Sequence, residues 1–346
     1  MNVWMLPKHS ETNKYNSLFS DSIEQTGVNV KNFRQRHIFR IKNNDILHFH
    51  WIHSLYQSNY KLFFIIKSII LIMILKIIKV RGGKIVWTVH NLYPHSFKFK
   101  KLEKWIRQKV MKECDFLVVA AHSLKLNTIN EFQVQEEKIK VIPHGHYQNA
   151  YKTLGTDIRK KYNISKQNYV YLFLGAIKPY KGVDNLIESF LEMAKKDQRI
   201  DLIIAGNASQ EFKKKIIKKS QHNRVHLDLR FVPDDEIADI ISASDAVVLP
   251  YEEITTSGSA ILALSFYKPI VAPKTPFLEE YFDHHNSVLY TKRGEQSLVA
   301  AMGEVKELSE SISHENFKES LERLEWTQIS ENMVVEYNKI KTSEPN

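Results

Sequence analysis

The sequence predicts an α/β fold built from two halves, each with a parallel sheet. Short apolar runs of strand length alternate with longer helical patterns along most of the 346 residues, which is typical of βαβ units. The alternation stops in a polar stretch at residues 148–167 and begins again with YVYLFL at residue 169. A chain of this length can bury two separate cores. Its 43% hydrophobic and 25% charged residues are ordinary for a globular protein.

The first half contains six expected strands. They are placed at residues 3–7, 28–33, 45–51, 84–89, 115–120 and 138–142, with helices ending near residue 25 and covering residues 60–80, 100–112 and 122–132. Side chains alternate along a strand, so His48 and His50 are expected on one face. Such a pair could bind a metal, but no carboxylate or cysteine partner stands at a recognisable spacing. We therefore expect no metal site here, and we place the two histidines at the ligand-binding end of the strand.

His90 directly follows the fourth expected strand, in the segment TVHN. Doubly wound sheets place their ligands at the carboxyl ends of the strands. An imidazole titrates near neutrality, so it could hold a sugar hydroxyl or move a proton. A loop histidine without a role is the alternative.

The second half repeats the alternation. Strands are expected at residues 169–174, 201–205, 225–229, 245–249, 269–272 and 288–291, and helices at residues 183–195, 234–242, 260–266, 277–282, 296–308, 314–323 and 325–340, with no element assigned to residues 207–224. The loop from Gly175 to Gly182 joins a strand to a helix and contains Lys178 and Lys181. Glycines and lysines in such a loop suit a phosphate. The loop is not a Walker motif, because the GK[ST] ending is absent.

A second candidate anion site lies where the helix after the strand at 245–249 begins. The sequence there is Thr256-Ser257-Gly258-Ser259. A helix that begins on small hydroxyl residues presents unpaired backbone N–H groups, which suit an anion or a diphosphate. The alternative is that Ser257 or Ser259 only caps the helix.

Residues 60–112 are apolar and basic. The run at residues 60–80 is interrupted by Lys67 and Lys76, so a membrane span is disfavoured against a helix lying in a membrane surface or a helix packed on the sheet. Many Lys and Arg residues stand in this region against one acid, Glu103, in a chain of net charge +10. Such a surface could meet an anionic membrane, a phosphorylated substrate or nucleic acid, or only water. No RNA- or DNA-binding motif is present, so no nucleic-acid partner is expected.

Cysteine usage and the N-terminal residues predict a reducing compartment. The one cysteine, Cys114, allows no disulfide within the chain. The first residues, MNVWMLPKHSE, have no basic start followed by an apolar run, so no signal peptide is expected. A cytoplasmic location is the expectation.

With these motifs, the chain resembles GT-B glycosyltransferases of the family-4 kind, which build bacterial polysaccharides and glycolipids. The resemblance rests on FLGAIKPYKGVDNLIESF, IIAGN, RFVPDDEIADIISASDAVVLPY, the stretch ending KPIVAP, and WTQISENMVVEYNKI at the end of the chain. It implies two Rossmann-like, doubly wound domains that face a cleft. The acceptor-binding domain would span residues 1–150 and the nucleotide-sugar domain residues 151–325. Residues 326–346 would form a helix that packs back on the first domain.

The resemblance also implies roles for particular residues. Lys181 matches the lysine that binds the donor diphosphate, and Lys178 would replace an arginine for which this chain has Ala176. Donor contacts are further implied for Phe231, Val232 and Pro233, which match the segment at the nucleotide base. The helix start at Thr256, Ser257, Gly258 and Ser259 is predicted at the diphosphate from its N–H groups and hydroxyls. His90 would lie near the transferred sugar as a catalytic residue, and the segments TVHN and VIPHG imply acceptor-side roles for Asn91 and His144. His50 is predicted on the acceptor side from its place at the strand end, and either His90 or His50 would be the base of an inverting reaction.

The chain departs from the family at two glutamates that are normally separated by seven residues. Their places are taken by Ile254 and Leu262, neither of which can accept a hydrogen bond through its side chain. Glu253, next to the first place but out of register, is the remaining catalytic carboxylate candidate. Retention and inversion of the anomeric centre both stay open.

The predicted function is glycosyl transfer without a metal or a cofactor. The donor would be a UDP- or GDP-linked sugar, and the acceptor a hydroxyl of a lipid-linked saccharide used for exopolysaccharide, capsule or glycolipid. The enzyme would be peripheral on the inner face of the cell membrane, docked through an anionic membrane surface. An enzyme like a nucleotide-sugar epimerase, acting on free donor, is the alternative.

Overall fold

The structure is a computed structural model that describes residues 1–10, 13–94, 97–252, 255–291 and 297–342. It divides into two compact units. Unit 1 comprises Met1–Gly145 and Leu324–Asn346, and unit 2 comprises His146–Arg323. Each unit contains one six-stranded sheet, so the prediction of two α/β halves is confirmed.

The sheet of unit 1 is parallel throughout, in the strand order β2-β1-β3-β4-β5-β6. Its strands are β1 (Asn2–Leu6), β2 (Asn29–Asn32), β3 (Ile46–Phe49), β4 (Lys84–Thr88), β5 (Phe116–Val119) and β6 (Ile139–Val141). The helices between them are α1 (Lys14–Gln25), α2 (His53–Tyr56), α3 (Lys61–Val80), α4 (Lys100–Glu113) and α5 (His122–Phe132), with 3-10 turns at Gln35–Arg40 and Glu136–Lys138.

The sheet of unit 2 is also parallel, in the order β12-β11-β10-β7-β8-β9. Its strands are β7 (Tyr169–Leu174), β8 (Ile200–Ala205), β9 (Val225–Asp228), β10 (Ala246–Val248), β11 (Ile270–Pro273) and β12 (Ser287–Tyr290). The helices are α6 (Ile158–Lys161), α7 (Val183–Ala194), α8 (Gln210–Lys219), α9 (Asp234–Ser242), α10 (Gly258–Ser265), α11 (Pro276–Tyr281), α12 (Leu298–Ser311) and α13 (Glu315–Glu322), and Pro179–Lys181 is a 3-10 turn.

The last helix, α14 (Trp326–Thr342), belongs to unit 1 although the chain reaches it from unit 2. Its residues Ile329, Met333 and Tyr337 are buried in the same core as Val3 and Phe19. Burial of these side chains removes apolar surface from water and thereby fixes the helix against unit 1. The helix predicted to pack back on the first domain is therefore present.

Sequence reasoning missed three helices, the four-residue helices α2 and α6 and the longer helix α8. Helix α8 occupies part of the stretch at residues 207–224 to which no element was assigned, and Ser209 caps it by accepting the N–H of Phe212. Ile216 is its one buried residue, and lysines fill much of the remainder. The periodic apolar signal that identifies a helix is therefore almost absent here.

Helix α3 carries apolar side chains on two sides. Phe64, Leu71, Leu75 and Ile78 are buried against unit 1, as expected for a helix packed on a sheet. Other large apolar residues of the helix are exposed. Within the described part of the chain, no helix has both the length and the apolar content needed to cross a bilayer.

Candidate active site

The sheet of unit 2 has a switch point between β7 and β10. From β7 the chain runs through β8 to β9 on one side, whereas β10, β11 and β12 lie on the other. In open parallel sheets, ligands bind outside the carboxyl ends of the strands at such a point. The loop that follows β7 comprises residues 175–182, and we call it the Lys181 loop. The loop that follows β10 leads into α10. Both predicted anion sites therefore flank the same crevice.

Close glycine contacts bring these loops together. A Cβ atom added to Gly182, which has φ +68°, would lie 2.0 Å from the carbonyl oxygen of Pro250. One added to Gly206, with φ +149°, would lie 1.8 Å from the carbonyl oxygen of Gly175. No L-residue side chain fits at such distances, so glycine is required at both positions. The Lys181 loop is consequently held against the end of β10.

Lys181 rests on an aromatic ring beside the crevice. Its ammonium nitrogen lies 3.7 Å from the ring centroid of Tyr251, which is 1% exposed. Among the ion pairs of the described residues, none involves Lys181 or Lys178. A cation–π contact orients an ammonium group without cancelling its charge. The Tyr251 ring therefore fixes where the Lys181 ammonium group lies.

The start of α10 combines a capping serine with a second, half-buried serine. The Ser257 side chain is buried and accepts the N–H of Ala260 at 3.1 Å, so it caps the helix in the ordinary way. Ser259 is half-buried, and its Oγ would lie 3.3 Å from a Cβ placed on Gly175. Ser259 is therefore the helix-start hydroxyl that lies against the loop after β7. Thr256 and Gly258 complete this turn.

Residues 231–233 connect β9 to α9. Phe231 is 53% exposed, whereas Val232 is buried and Pro233 directly precedes the helix. The preceding Arg230 pairs with Asp228 at 2.9 Å and also with Glu236, which holds the turn. Since β9 is separated from β7 by β8, this segment lies along the same sheet edge as the Lys181 loop, two strands away.

Two of the three positions around the expected glutamates lie outside the described residues. These are Glu253 and Ile254, so the catalytic role assigned to Glu253 remains a prediction. Leu262 lies within α10 and is 9% exposed. Its apolar side chain leaves no hydrogen-bond acceptor at the place of the family's second glutamate.

Unit 1 has its own switch point, between β1 and β3. His50 directly follows β3 and His90 lies just beyond β4, and their rings meet through Nδ1 of His50 and Nε2 of His90 at 3.2 Å. Trp51 stacks on His90 with ring centroids 4.6 Å apart. A cavity of about 220 Å³ opens beside them, lined by His50, Trp51, Ile52, His53, Trp87, His90, Asn91, Tyr93, Pro94 and Arg107. We call it the histidine cavity.

Burial keeps these imidazoles neutral. Loss of solvent holds the pKa of His50 and of His90 well below the usual value, and the neighbouring histidines lower both further. Nε2 of His50 is buried without a hydrogen-bond partner in the described structure. A neutral imidazole with an unpaired ring nitrogen can exchange a hydrogen bond, or a proton, with a hydroxyl in the cavity.

The other predicted histidines differ from this pair. His48 is fully buried and bonded on both ring nitrogens, to the Tyr337 hydroxyl at 2.5 Å and the Thr88 hydroxyl at 2.7 Å. It therefore connects α14 to the sheet, although the sequence placed it with His50 at the ligand end. His144 packs on Tyr15 with ring centroids 4.4 Å apart, and burial lowers its pKa to about 4.

Sequence reasoning missed much of the cavity wall. Arg107 lies 5.4 Å from the ring centroid of Trp87, and its Nη1 donates to the Asn91 carbonyl at 3.3 Å. Its buried partner is Glu103, four residues earlier on α4. The signal available in the sequence was the spacing of Glu103 and Arg107, which stand four residues apart and so lie on the same face of a helix. The described residues contain no cluster of three His, Cys, Asp or Glu side chains able to hold a metal ion.

Comparison with known proteins agrees with this geometry. Residues 156–323 match the family of glycosyl transferases group 1, and residues 30–146 match glycosyltransferase family 4. A GDP-mannose:glycolipid 4-beta-D-mannosyltransferase of Xanthomonas campestris pv. campestris is 27% identical over 272 residues, which cover 77% of this chain and 71% of the relative. The O-antigen chain mannosyltransferase RfbU of Salmonella typhimurium is 24% identical over 236 residues, covering 66% and 63%.

Solved structures share the fold at low identity. Anabaena Alr3699/HepE in complex with UDP-glucose has a TM-score of 0.73 at 16% identity, over 98% of this chain and 99% of that one. Sucrose-phosphate synthase from Thermosynechococcus elongatus has a TM-score of 0.72 at 11% identity, over 98% of both chains. With one family match on each unit and two parallel sheets of this topology, the chain belongs to the family-4-like glycosyltransferases of the GT-B fold.

Proposed function

We propose that the enzyme transfers a hexose from a nucleotide sugar to a hydroxyl of a lipid-linked saccharide during synthesis of a bacterial glycolipid, capsule or exopolysaccharide. The observation that carries the proposal is Lys181, which rests on Tyr251 beside the switch point without an acidic partner among the described residues. In this assignment unit 2 holds the donor and unit 1 the acceptor. The glycolipid and O-antigen mannosyltransferases among the relatives support a mannosyl donor and a lipid-linked acceptor.

The donor diphosphate would bind between the Lys181 loop and the start of α10. When the bond from the sugar to the diphosphate breaks, negative charge develops on the leaving oxygen. Lys181 and Lys178 would stabilise that charge, together with the free N–H groups of α10 and the Ser259 hydroxyl. Fixed cations supply the positive field that a divalent ion supplies in other transferases, so we expect turnover to persist in EDTA. Phe231 to Pro233 would border the nucleotide base.

The histidine pair would act on the acceptor. As the acceptor oxygen bonds to the anomeric carbon and the diphosphate leaves, its proton must move to a base. Nε2 of His50 is unpaired and neutral, and His90 is bonded to the same ring. We propose that this pair receives the proton in a single displacement that inverts the anomeric centre. NMR of the product's anomeric configuration tests this directly, because a retained configuration requires a different route.

The function is tested with purified enzyme and a panel of nucleotide sugars. GDP-mannose, UDP-glucose and UDP-N-acetylglucosamine would be compared by thermal shift and by turnover, with and without a bacterial glycolipid extract. We expect one donor to raise the melting temperature, and its sugar to reach the lipid fraction. Conversion of free donor to an epimer without acceptor would reject the proposal. So would the absence of any effect by all three donors.

Membrane docking would involve the exposed side of α3. With 3.6 residues per turn, its exposed apolar residues fall on one face, bordered by the exposed Lys67 and Lys76. These apolar residues are Leu62, Phe63, Ile66, Ile69, Ile70, Met73, Ile77 and Val80. An apolar face flanked by lysines suits the surface of an anionic bilayer. We propose that this face rests on the inner leaflet, where the lipid-linked acceptor resides.

Vesicle sedimentation tests the docking proposal. We expect binding to vesicles that contain phosphatidylglycerol, and loss of that binding in a double variant, Ile70→Glu with Met73→Glu. Leu126→Glu is the matched control, since Leu126 is 60% exposed on another helix of unit 1. Equal binding by the double variant and the wild type would exclude α3 as the docking face.

A further inference from the structure

A second and larger cavity of unit 1 lies between the beginnings of α3 and α4. Its volume is about 590 Å³, within the range of ~300–1,000 Å³ typical of small-molecule sites. The lining residues are Gln57, Ser58, Asn59, Phe64, Phe97, Lys98, Phe99 and Glu103. We call it the Glu103 cavity. None of its residues belongs to the donor site or to the histidine cavity.

Glu103 lines this cavity, and one of its carboxylate oxygens is unpaired in the described structure. The residue is fully buried, and its Oε1 accepts from the Tyr56 hydroxyl and, at 3.0 Å, from Nε of Arg107. Oε2 is buried and has no hydrogen-bond partner among the described residues. A buried acceptor without a partner is costly. The oxygen therefore indicates a ligand that donates a hydrogen bond at this place.

Three phenylalanines form the apolar part of the lining, and Gln57, Ser58, Asn59 and Lys98 form its polar part. Phe64 and Phe99 meet edge to face with ring centroids 5.9 Å apart, and Phe97 is 38% exposed. Aromatic rings offer broad, rigid apolar surface. The Glu103 cavity thus combines aromatic surface with polar side chains and a hydrogen-bond acceptor, which is the chemistry that receives the C–H face and the hydroxyls of a pyranose ring.

Other ligand classes fit less well. An acyl or prenyl chain would leave Oε2 of Glu103 unpaired. A phosphate would meet an acceptor oxygen instead of a donor at that point. A cation gains little, because Arg107 already neutralises Glu103 and Lys98 lines the same cavity with its own positive charge. A neutral polyhydroxyl ligand satisfies the site.

The position of the Glu103 cavity relates it to the acceptor. Its Glu103 is bonded to Arg107, and Arg107 lines the histidine cavity, so one ion pair separates the two cavities. Phe64 belongs to α3, the proposed docking helix. We propose that the Glu103 cavity binds a pyranose ring of the acceptor saccharide next to the ring that is glycosylated. This inference rests on the proposed function, because it assumes a saccharide acceptor on unit 1.

Binding of small glycosides tests the inference without requiring turnover. Methyl glycosides with one and with two pyranose rings, from mannose and from glucose, would be titrated onto the full-length protein by calorimetry and ligand-observed NMR. We expect a two-ring glycoside to bind more tightly than its one-ring counterpart. In Phe97→Ala, loss of the aromatic wall should weaken two-ring binding about tenfold, or ~1.4 kcal/mol. Phe39→Ala, which removes a 73% exposed ring elsewhere in unit 1, should bind as the wild type does.

A second variant addresses the carboxylate. Glu103→Gln replaces one of its oxygens by an NH₂ group that cannot accept a hydrogen bond. We expect it to lose the preference for two rings, with folding verified by circular dichroism. The inference is overturned if two-ring glycosides bind the wild type no better than one-ring glycosides. It is also overturned if Phe97→Ala weakens one-ring and two-ring glycosides equally. A prenyl phosphate is titrated in parallel, and an effect of Phe97→Ala on that ligand alone would overturn the inference as well. Failure of every donor in the turnover screen would instead reject the proposed function, because the glycoside titrations need no donor.

Discussion

The ammonium group of Lys181 lies 3.7 Å from the ring centroid of Tyr251, joining the loop after β7 to the residue that follows Pro250 beyond β10. Tyr251 is buried, so the ring itself cannot move far. The contact places a positive charge at the switch point of unit 2, where parallel sheets bind ligands. It also lets us predict which lysine the donor depends on.

Replacing Lys181 should remove donor binding and catalysis together. We expect Lys181→Ala to lower kcat/KM by on the order of 10²-fold, because a preorganised charge on the leaving diphosphate is lost. Lys181→Arg should retain part of the activity, since charge remains but the fit over Tyr251 changes. Steady-state kinetics with the donor found in the screen measure both. Lys318→Ala, at an exposed lysine of unit 2, serves as control, and equal losses in the two alanine variants would contradict the assignment.

Gly182 should be intolerant of a side chain. Its φ of +68° and the 2.0 Å approach to the Pro250 carbonyl oxygen leave no space for Cβ. We expect Gly182→Ala to lower the free energy of unfolding by more than about 1 kcal/mol and to weaken donor binding through displacement of the Lys181 loop. Gly303→Ala is the matched control, because a Cβ there meets nothing within 4 Å and alanine favours a helix. Urea denaturation measures the free energy of unfolding of both variants. Equal stability would contradict the prediction and show that the loop can relax around the added Cβ.

The histidine pair should contribute to the chemical step but not to donor binding. We expect His50→Gln to lower kcat about 10²- to 10⁴-fold, the usual contribution of a general base, while the dissociation constant for the donor stays within about twofold in the same assay. The reason is that donor contacts are assigned to unit 2 and His50 lies in unit 1. His285→Gln, at an exposed histidine, is the control. A large loss of donor affinity in His50→Gln would place the histidine in the donor site instead.

Unit 1 should lose stability in mild acid. Burial lowers the pKa of His48 to about 3 and of His144 to about 4, and holds those of His50 and His90 well below the usual value. In the unfolded chain these imidazoles bind protons below pH ~6.5. Between pH ~6.5 and the lower pKa of the folded state, the unfolded chain therefore binds more protons than the folded protein. Their contribution is fully present above pH ~6.5 and is lost as the pH falls, by about 1.4 kcal/mol per pH unit for each histidine.

Urea denaturation between pH 6.5 and 4.5 measures this loss. Carboxylates contribute little in that window, because most of them titrate below it. We expect His144→Gln to be less sensitive to pH than the wild type across the same range. An unchanged slope in that variant would mean that His144 is protonated in the folded protein.

Local sequence patterns were enough for most of the fold. The run YVYLFL is buried along nearly its whole length as β7, because strands of a parallel sheet are covered on both faces. Helix starts were also recognisable, as Ser257 shows. Helix α8 was not predicted, because it has one buried residue, Ile216, among many lysines and so lacks a recognisable apolar spacing. The sequence also left open what the second apolar face of α3 contacts. The spacing of apolar residues along a helix shows that a face exists but not what covers it.

The sequence by itself determined the two α/β units, the loop that contains Lys181 and the cap at Ser257, because strand alternation, glycine loops and caps are encoded by neighbouring residues. Only the tertiary structure decided which of these meet. The bond between His50 and His90 joins residues 40 apart in the chain, and the tie from His48 to Tyr337 spans 289. Such pairs depend on the order of strands in a sheet and on where the last helix packs. Neither can be inferred from local patterns in one sequence, because many strand orders would bury the same apolar surface.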